Sequence, residues 1–188
     1  MRKTIVVLCA LMTLAACGQG TTSSAPSAPN PNAPEQNAAG DIPDNQVFVP
    51  FDPGGFTVSV PEGWARTTDG GATVFGDKFN SVRVEAVPRA QQLTVTTATA
   101  EEVPALRSLP GYHAGSVDTV RRTAGDAVLI TYETTSPSDP VTGKTVTDSV
   151  ERYEFWRGGT EAILTLTGPK GADNVDPWRT VTDSLRWP

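Results

Sequence analysis

Residues 145–167 read TVTDSVERYEFWRGGTEAILTLT, and this stretch decides the fold. Thr145 to Trp156 reads as one strand, Gly158-Gly159 as a tight turn, and Thr160 to Thr167 as the returning strand. The chain therefore folds back on itself antiparallel. In the second strand Ala162, Leu164 and Leu166 fall on one face. In the first, Tyr153 and Phe155 face the core, and the same alternation turns Arg152, Glu154 and Trp156 the other way.

The same reading extends outward from this hairpin. Phe56 to Val60 alternates and is turned by Pro61-Glu62-Gly63-Trp64. Asp69-Gly70-Gly71 is a turn into Ala72 to Phe75. Ser81 to Val87 places Val82, Val84 and Ala86 on one face and Arg83 and Glu85 on the other. Asp118 to Arg122 forms a further strand, and Gly125-Asp126 leads to Ala127 to Thr134, where Val128, Ile130 and Tyr132 share a face. The turn-rich segment Ser136 to Lys144 connects this strand to the next. A helix is predicted from Thr99, where Thr99-Ala100-Glu101-Glu102 matches a capping box, to about Leu109; Pro104 must then lie in its first turn, or the helix starts later. A second helix is predicted over Val175 to Leu185, capped by Asp173 or Asn174, with Val175, Trp178, Val181 and Leu185 at helical spacing. Antiparallel strands with one helix inserted and another at the end define an α+β layered domain over residues 47–188.

Upstream the chain changes character. Arg2 and Lys3 precede an apolar run from Thr4 to Leu14, well short of the roughly 20 residues a spanning helix needs. Residues 1–16 thus read as a cleavable signal peptide. The run ends in Leu14-Ala15-Ala16-Cys17, which resembles the lipobox of bacterial lipoproteins. That resemblance implies cleavage before Cys17 and a diacylglyceryl group on its sulfur. Two acyl chains give a stable bilayer anchor where one gives only marginal binding. An ordinary secretory signal would be cut near Ala15 or Ala16 and leave the cysteine unmodified. Residues 17–46 are rich in Pro, Ala, Ser and Asn, with prolines at 26, 29, 31 and 34. Such a composition reads as a disordered tether, extended at about 3.1 Å per residue where it is polyproline-like. The expected localisation is the extracytoplasmic face of the cell membrane, held there by lipid.

Composition excludes several chemistries. The two cysteines are Cys9, inside the leader, and Cys17, so the domain is predicted to have no disulfide, cysteine nucleophile or Cys/His zinc site. The chain carries 15 Lys and Arg against 21 Asp and Glu; losing Arg2 and Lys3 leaves 13 against 21, a net of −8. Arg121-Arg122 is the only adjacent basic pair in the predicted mature chain, which is no nucleic-acid footprint. His113 is the only histidine, in a predicted surface loop, and no Gly-x-Ser-x-Gly elbow exists; no catalytic residue is assigned. An enzyme would need a cleft gathering His113, a carboxylate and a hydroxyl such as that of Ser116. The acidic run Asp173-Asn174-Val175-Asp176 lacks the spacing of a calcium loop and reads as helix capping, so no metal or cofactor is expected. Trp64, Trp178 and Trp187 sit at element ends, where they plug seams. Trp156, beside Arg157 and on the face of Arg152, is the candidate interaction surface unless a helical layer covers it. Two function classes follow: a non-enzymatic module that binds an envelope protein or lipid, or a carrier of an apolar lipid or ligand between sheet and helix. Bulky fillers such as Trp64, Trp178, Leu164 and Tyr132 favour a closed core and hence the module.

Three stretches together carry a family resemblance: Phe56-x-Val58-x-Val60-Pro61-x-Gly63-Trp64, Leu109-Pro110-Gly111-Tyr112, and the closing Val175-Asp176-Pro177-Trp178 with Thr182-Asp183-Ser184-Leu185-Arg186-Trp187. Together they resemble the PsbP-like fold, and the whole chain is similar to the actinobacterial LpqN-type lipoproteins. The resemblance implies a central antiparallel sheet with helices on both sides, no cofactor, and partners that vary among members. Its motifs are structural, so function does not transfer with them. Arg outnumbering Lys eleven to four suits an actinobacterial source.

Overall fold

The computed structural model describes residues 39–139 and 141–188; the expected signal peptide, Cys17 and the expected tether up to residue 38 lie outside the described residues. Strands β1 (Phe48–Phe51) and β2 (Val58–Pro61) form a two-stranded pair. Then come β3 (Ala65–Asp69), β4 (Ala72–Asp77), β5 (Asn80–Pro88), helices α1 (Val95–Glu101) and α2 (Val103–Leu106), β6 (His113–Arg122), β7 (Gly125–Thr135), β8 (Thr147–Arg157), β9 (Thr160–Pro169) and α3 (Val175–Asp183). The second sheet has seven strands in the order β3-β4-β5-β9-β8-β7-β6. From β5 the chain crosses through α1 and α2 to the far edge, then returns by successive hairpins until β9 pairs with β5.

Turn chemistry sets the hairpins. Gly158 and Gly159 both take positive φ, 58° and 88°, as a two-residue turn matched to strand twist requires. Their hairpin pairs Tyr153 with Leu164 and Phe155 with Ala162. One face of the sheet buries Val82, Val84, Tyr153, Phe155, Leu164 and Leu166 against β1–β2 and against Trp178, Val181 and Leu185 of the α3 segment. The opposite face buries Val128, Ile130, Tyr132 and Val150 against Leu93, Ala98 and Val103 of the α1–α2 segment. Each buried Val, Leu, Ile or Phe contributes about 1.5–3 kcal/mol by leaving water. The α+β sandwich expected from the sequence is thus observed, with helices on both sides.

Three local expectations are corrected. The inserted helix starts at Val95, not Thr99: Thr94 and Thr97 form the capping box, and the Thr99 hydroxyl donates to the Val95 carbonyl inside the helix. Pro104 belongs to the first turn of a separate helix, α2, because its missing N–H cannot continue α1. The strand expected from Asp118 begins at His113, so His113 is an exposed strand residue and not a loop residue. A bulge between Ala114 and Val117 shifts the register, and the hydrophobic alternation fails there. At that bulge Gly115 lies so close to β7 that a Cβ would sit 2.4 Å from the Thr131 hydroxyl and 2.5 Å from its carbonyl oxygen.

The packed chain also starts upstream of residue 47. Ile42 is 4% exposed and belongs to the main core. Its N–H donates to Asn174 Oδ1 at 2.8 Å, while Asn174 Nδ2 donates to the Gly40 carbonyl at 3.1 Å and to Asn80 Oδ1 at 3.0 Å. Asn80 Nδ2 donates to the same Gly40 carbonyl at 2.9 Å. Asn174 occupies the N-cap position of α3, yet its side chain makes no cap bond; it clasps the incoming chain instead.

Candidate functional site

β8 projects Arg152, Glu154 and Trp156 toward the α1–α2 side, the face opposite Tyr153 and Phe155. Register builds a charged field around them. Thr165 of β9 lies between Arg83 and Arg152, Ile163 between Glu85 and Glu154, and Glu161 opposite Trp156. Arg152 Nε donates to Glu154 Oε1 at 2.6 Å and Nη2 to Glu102 Oε2 at 3.3 Å; Glu85 lies 3.8 Å from Nη1. Arg89 Nε donates to Glu161 Oε2 at 2.6 Å, Nη1 to Glu101 at 3.0 Å and Nη2 to Glu102 Oε1 at 2.6 Å. Glu102, at the junction of α1 and α2, thus bridges both arginines. Arg83 completes the array with Glu85 and Asp69.

Carboxylates outnumber guanidinium groups in this field, and two of them are deeply buried: Glu154 is 2% exposed and Glu161 1%. Glu154 Oε2, Glu161 Oε1 and Thr165 Oγ1 find no hydrogen-bond partner among the described residues. Burial pushes the Glu154 carboxyl up to about 7; Arg152 opposes that rise, while Glu102 and Glu161 add to it. Burial raises Glu161 as well, against the pull of Arg89. A buried ion pair of this kind is weak support for stability, because desolvation offsets most of the attraction.

The three residues singled out from the sequence therefore have different surroundings. Arg152 lies inside the network, with a side chain 13% exposed. Trp156 is half-buried, and its indole N–H donates to the Arg89 carbonyl at 2.7 Å. Arg157 is exposed at the end of β8. They do not form one open patch. Beside Arg89 lies an open pocket of about 270 Å³ lined by residues 89–93, Thr97 and Glu101. The residues that sequence reasoning missed are Arg89, Glu102 and Glu161. The available signal for Glu161 was its place at the start of the apolar strand 161–166, opposite Trp156 across the hairpin; Arg89 and Glu102, outside the strands, carried none.

On the other face, a second pocket of about 210 Å³ is lined by Gly115, Thr131, Glu133, Ser149 and Glu151 among others. The Tyr153 hydroxyl donates to Glu151 Oε2, and Arg122 Nη2 donates to Tyr153, both at 2.8 Å. His113 pairs in register with Glu133, whose carboxylate is held by Lys170 at 2.7 Å. The Ser116 hydroxyl shares a 3.2 Å bond with Thr131. Neither pocket is an apolar chamber between sheet and helix. Trp178 is buried, and Trp64 and Trp187 pack partly buried against the main core. Among the described residues, no group of three or more His, Cys, Asp or Glu is placed to hold a metal, and no helix is long and apolar enough to cross a membrane.

This architecture, an antiparallel sheet between a helix pair and a third helix, defines the class of domain. No family and no curated protein matches the chain. Solved structures do. A Bacteroides thetaiotaomicron protein is 16% identical, with a TM-score of 0.46, over 71% of this chain; the chain spans 45% of that protein. PA94 of Pseudomonas aeruginosa is 14% identical, with a TM-score of 0.47, over 75% of this chain and 96% of that one. LpqN, described as involved in cell envelope biogenesis of Mycobacterium tuberculosis, is 15% identical, with a TM-score of 0.42, over 77% of this chain and 93% of its own.

Proposed function

We propose that the chain is a lipid-anchored lipoprotein of the bacterial cell envelope, of the LpqN type, whose domain is a non-enzymatic binding module on the extracytoplasmic face. Cys17 at the end of Leu14-Ala15-Ala16-Cys17 carries the location. The module reading rests on one observation: the centre of the sheet is packed on both faces, and the pockets of about 210 and 270 Å³ are shallow and open to solvent, with mixed polar and apolar linings. A carrier of an apolar lipid would want an enclosed apolar volume of about 300 Å³ or more. The accessible binding face is then the end of β8 with Arg157, the outer edge of Trp156 and the adjoining ledge from Arg89 to Gln92.

Two measurements test this in the producing organism. A clickable palmitate analogue should label the wild-type chain and not Cys17→Ser, which should also leave the membrane fraction; equal labelling of both would end the anchor reading. A photo-crosslinker at Arg157, with Asp139 as control, should capture one dominant protein. Lipid adducts alone would favour the carrier, and identical adducts at both positions would dismiss the face.

A further inference from the structure

The grip of α1 and α2 on the sheet is slight. The two helices have seven and four residues, too short to persist alone, and the segment's apolar seats are Leu93, Ala98 and Val103, with Leu106 partly buried beside them. Their polar attachment runs through two adjacent carboxylates, Glu101, which bonds Arg89, and Glu102, which alone reaches Arg152 on the sheet. Glu102 offers one carboxylate oxygen to Arg89 and the other to Arg152. Arg152 is in turn shared with Glu154, which lies directly beneath.

We propose that the α1–α2 pair is a proton-governed lid, in which Glu154 binds and releases a proton and Glu102 is the latch that responds. Glu154 Oε2 and Glu161 Oε1 are both buried without partners and sit two residues off register on neighbouring strands. Diagonal side chains of this length meet on one sheet face. A proton on Glu154 removes one of the two buried negative charges and gives its carboxyl a hydrogen to donate.

The groups facing Glu154 determine the sign. Its own strand supplies Arg152, β9 supplies Glu161 and Thr165, and β5 supplies Glu85 and Arg83. The lid supplies Glu101 and Glu102, the preceding loop Arg89, and β7 the Tyr132 phenol. Three guanidinium groups face Glu85, Glu101, Glu102, Glu161 and Asp69 before Glu154 is counted. Protonated, Glu154 leaves Arg152 to Glu102 and the lid closes. Ionised, it draws Arg152 away from the 3.3 Å Glu102 bond and adds a buried negative charge beside Glu102 and Glu161. The lid then loosens over Val128, Ile130, Tyr132 and Val150, an apolar strip that becomes reachable. A midpoint near neutrality, as the raised Glu154 carboxyl implies, puts this change in a range that a domain placed as proposed above would meet.

Hydrogen exchange on the full chain between about pH 5.5 and pH 8.5, corrected for intrinsic exchange, tests the proposal. Peptides covering residues 93–107 should lose protection by on the order of tenfold at the higher pH, while β9 peptides hold. Glu154→Gln should keep the lid closed at both values, and Glu102→Gln should open it at both. A flat wild-type profile, or the same pH dependence in Glu154→Gln, overturns the lid. Carboxyl NMR of the unsubstituted chain gives a check free of folding defects. Glu154 should titrate near neutrality together with the α1 amides; a midpoint in the ordinary carboxylate range refutes the proposal.

Discussion

Replacing Asn174 tests the clasp that ties the start of the domain to its last helix. In Asn174→Ala the Ile42 N–H loses its acceptor and Asn80 Oδ1 loses its donor, both in buried residues. The Gly40 carbonyl keeps its bond from Asn80 Nδ2. Two orphaned groups at about 1–3 kcal/mol each, eased where water enters, give a loss of about 2–4 kcal/mol. That is a large part of the about 5–15 kcal/mol typical of a domain. Asn174→Asp separates geometry from shape. It retains the acceptor for Ile42 but turns an oxygen toward Gly40 O and Asn80 Oδ1, so this nearly isosteric change should cost at least as much as alanine at neutral pH. Urea unfolding followed by tryptophan fluorescence gives the free energies, and limited proteolysis near residue 42 reports release of the segment. An Asn174→Asp protein as stable as wild type would show that the amide orientation, and the argument built on it, is wrong.

Other consequences follow from the charged field and the bulge. Glu154 binds its proton more tightly folded than unfolded, so its contribution is full below the ordinary value of 4.5 and is lost as pH rises toward about 7. Melting temperatures should therefore fall across that window, by the equivalent of about 1–3 kcal/mol, and the slope should shrink in Glu154→Gln; a Tm that rises with pH through this range and is unaltered by the substitution would contradict it. Gly115→Ala should destabilise by about 1–3 kcal/mol, measured as a drop in the urea midpoint, because the added methyl meets the Thr131 backbone. Trp156→Phe should cost about 1 kcal/mol through the lost bond to the Arg89 carbonyl, and hydrogen exchange should show the loosening confined to the Arg89 loop.

The β8–β9 hairpin was legible because two glycines mark its turn and its apolar residues keep strict alternation. β3 was not: all five residues of Ala65–Asp69 are exposed, so no buried face imprints a period. The start of α1 was hidden because its capping box uses Thr97 where the familiar pattern has Glu or Gln, and a better-looking match at Thr99 lay inside the helix. Ile42, a single apolar residue amid Asp, Pro and Asn, carries no periodicity, yet it is core because Asn174 holds its backbone. Alternation correctly turned Arg152, Glu154 and Trp156 away from the main core. It could not show that Arg89 and Glu102 converge on them, since those contacts join residues 50 and 67 positions apart in the chain.

The clasp at Gly40 also has a mechanical meaning. Tension applied through the N-terminal chain reaches the domain at Gly40 and Ile42, whose backbone groups are held by Asn80 and Asn174. These amide contacts bear the load side by side, spreading it between the β4–β5 turn and α3, instead of unzipping β1 from β2 one bond at a time. Under the anchoring proposed at Cys17, the fold is thus reinforced at the point where the pull would enter.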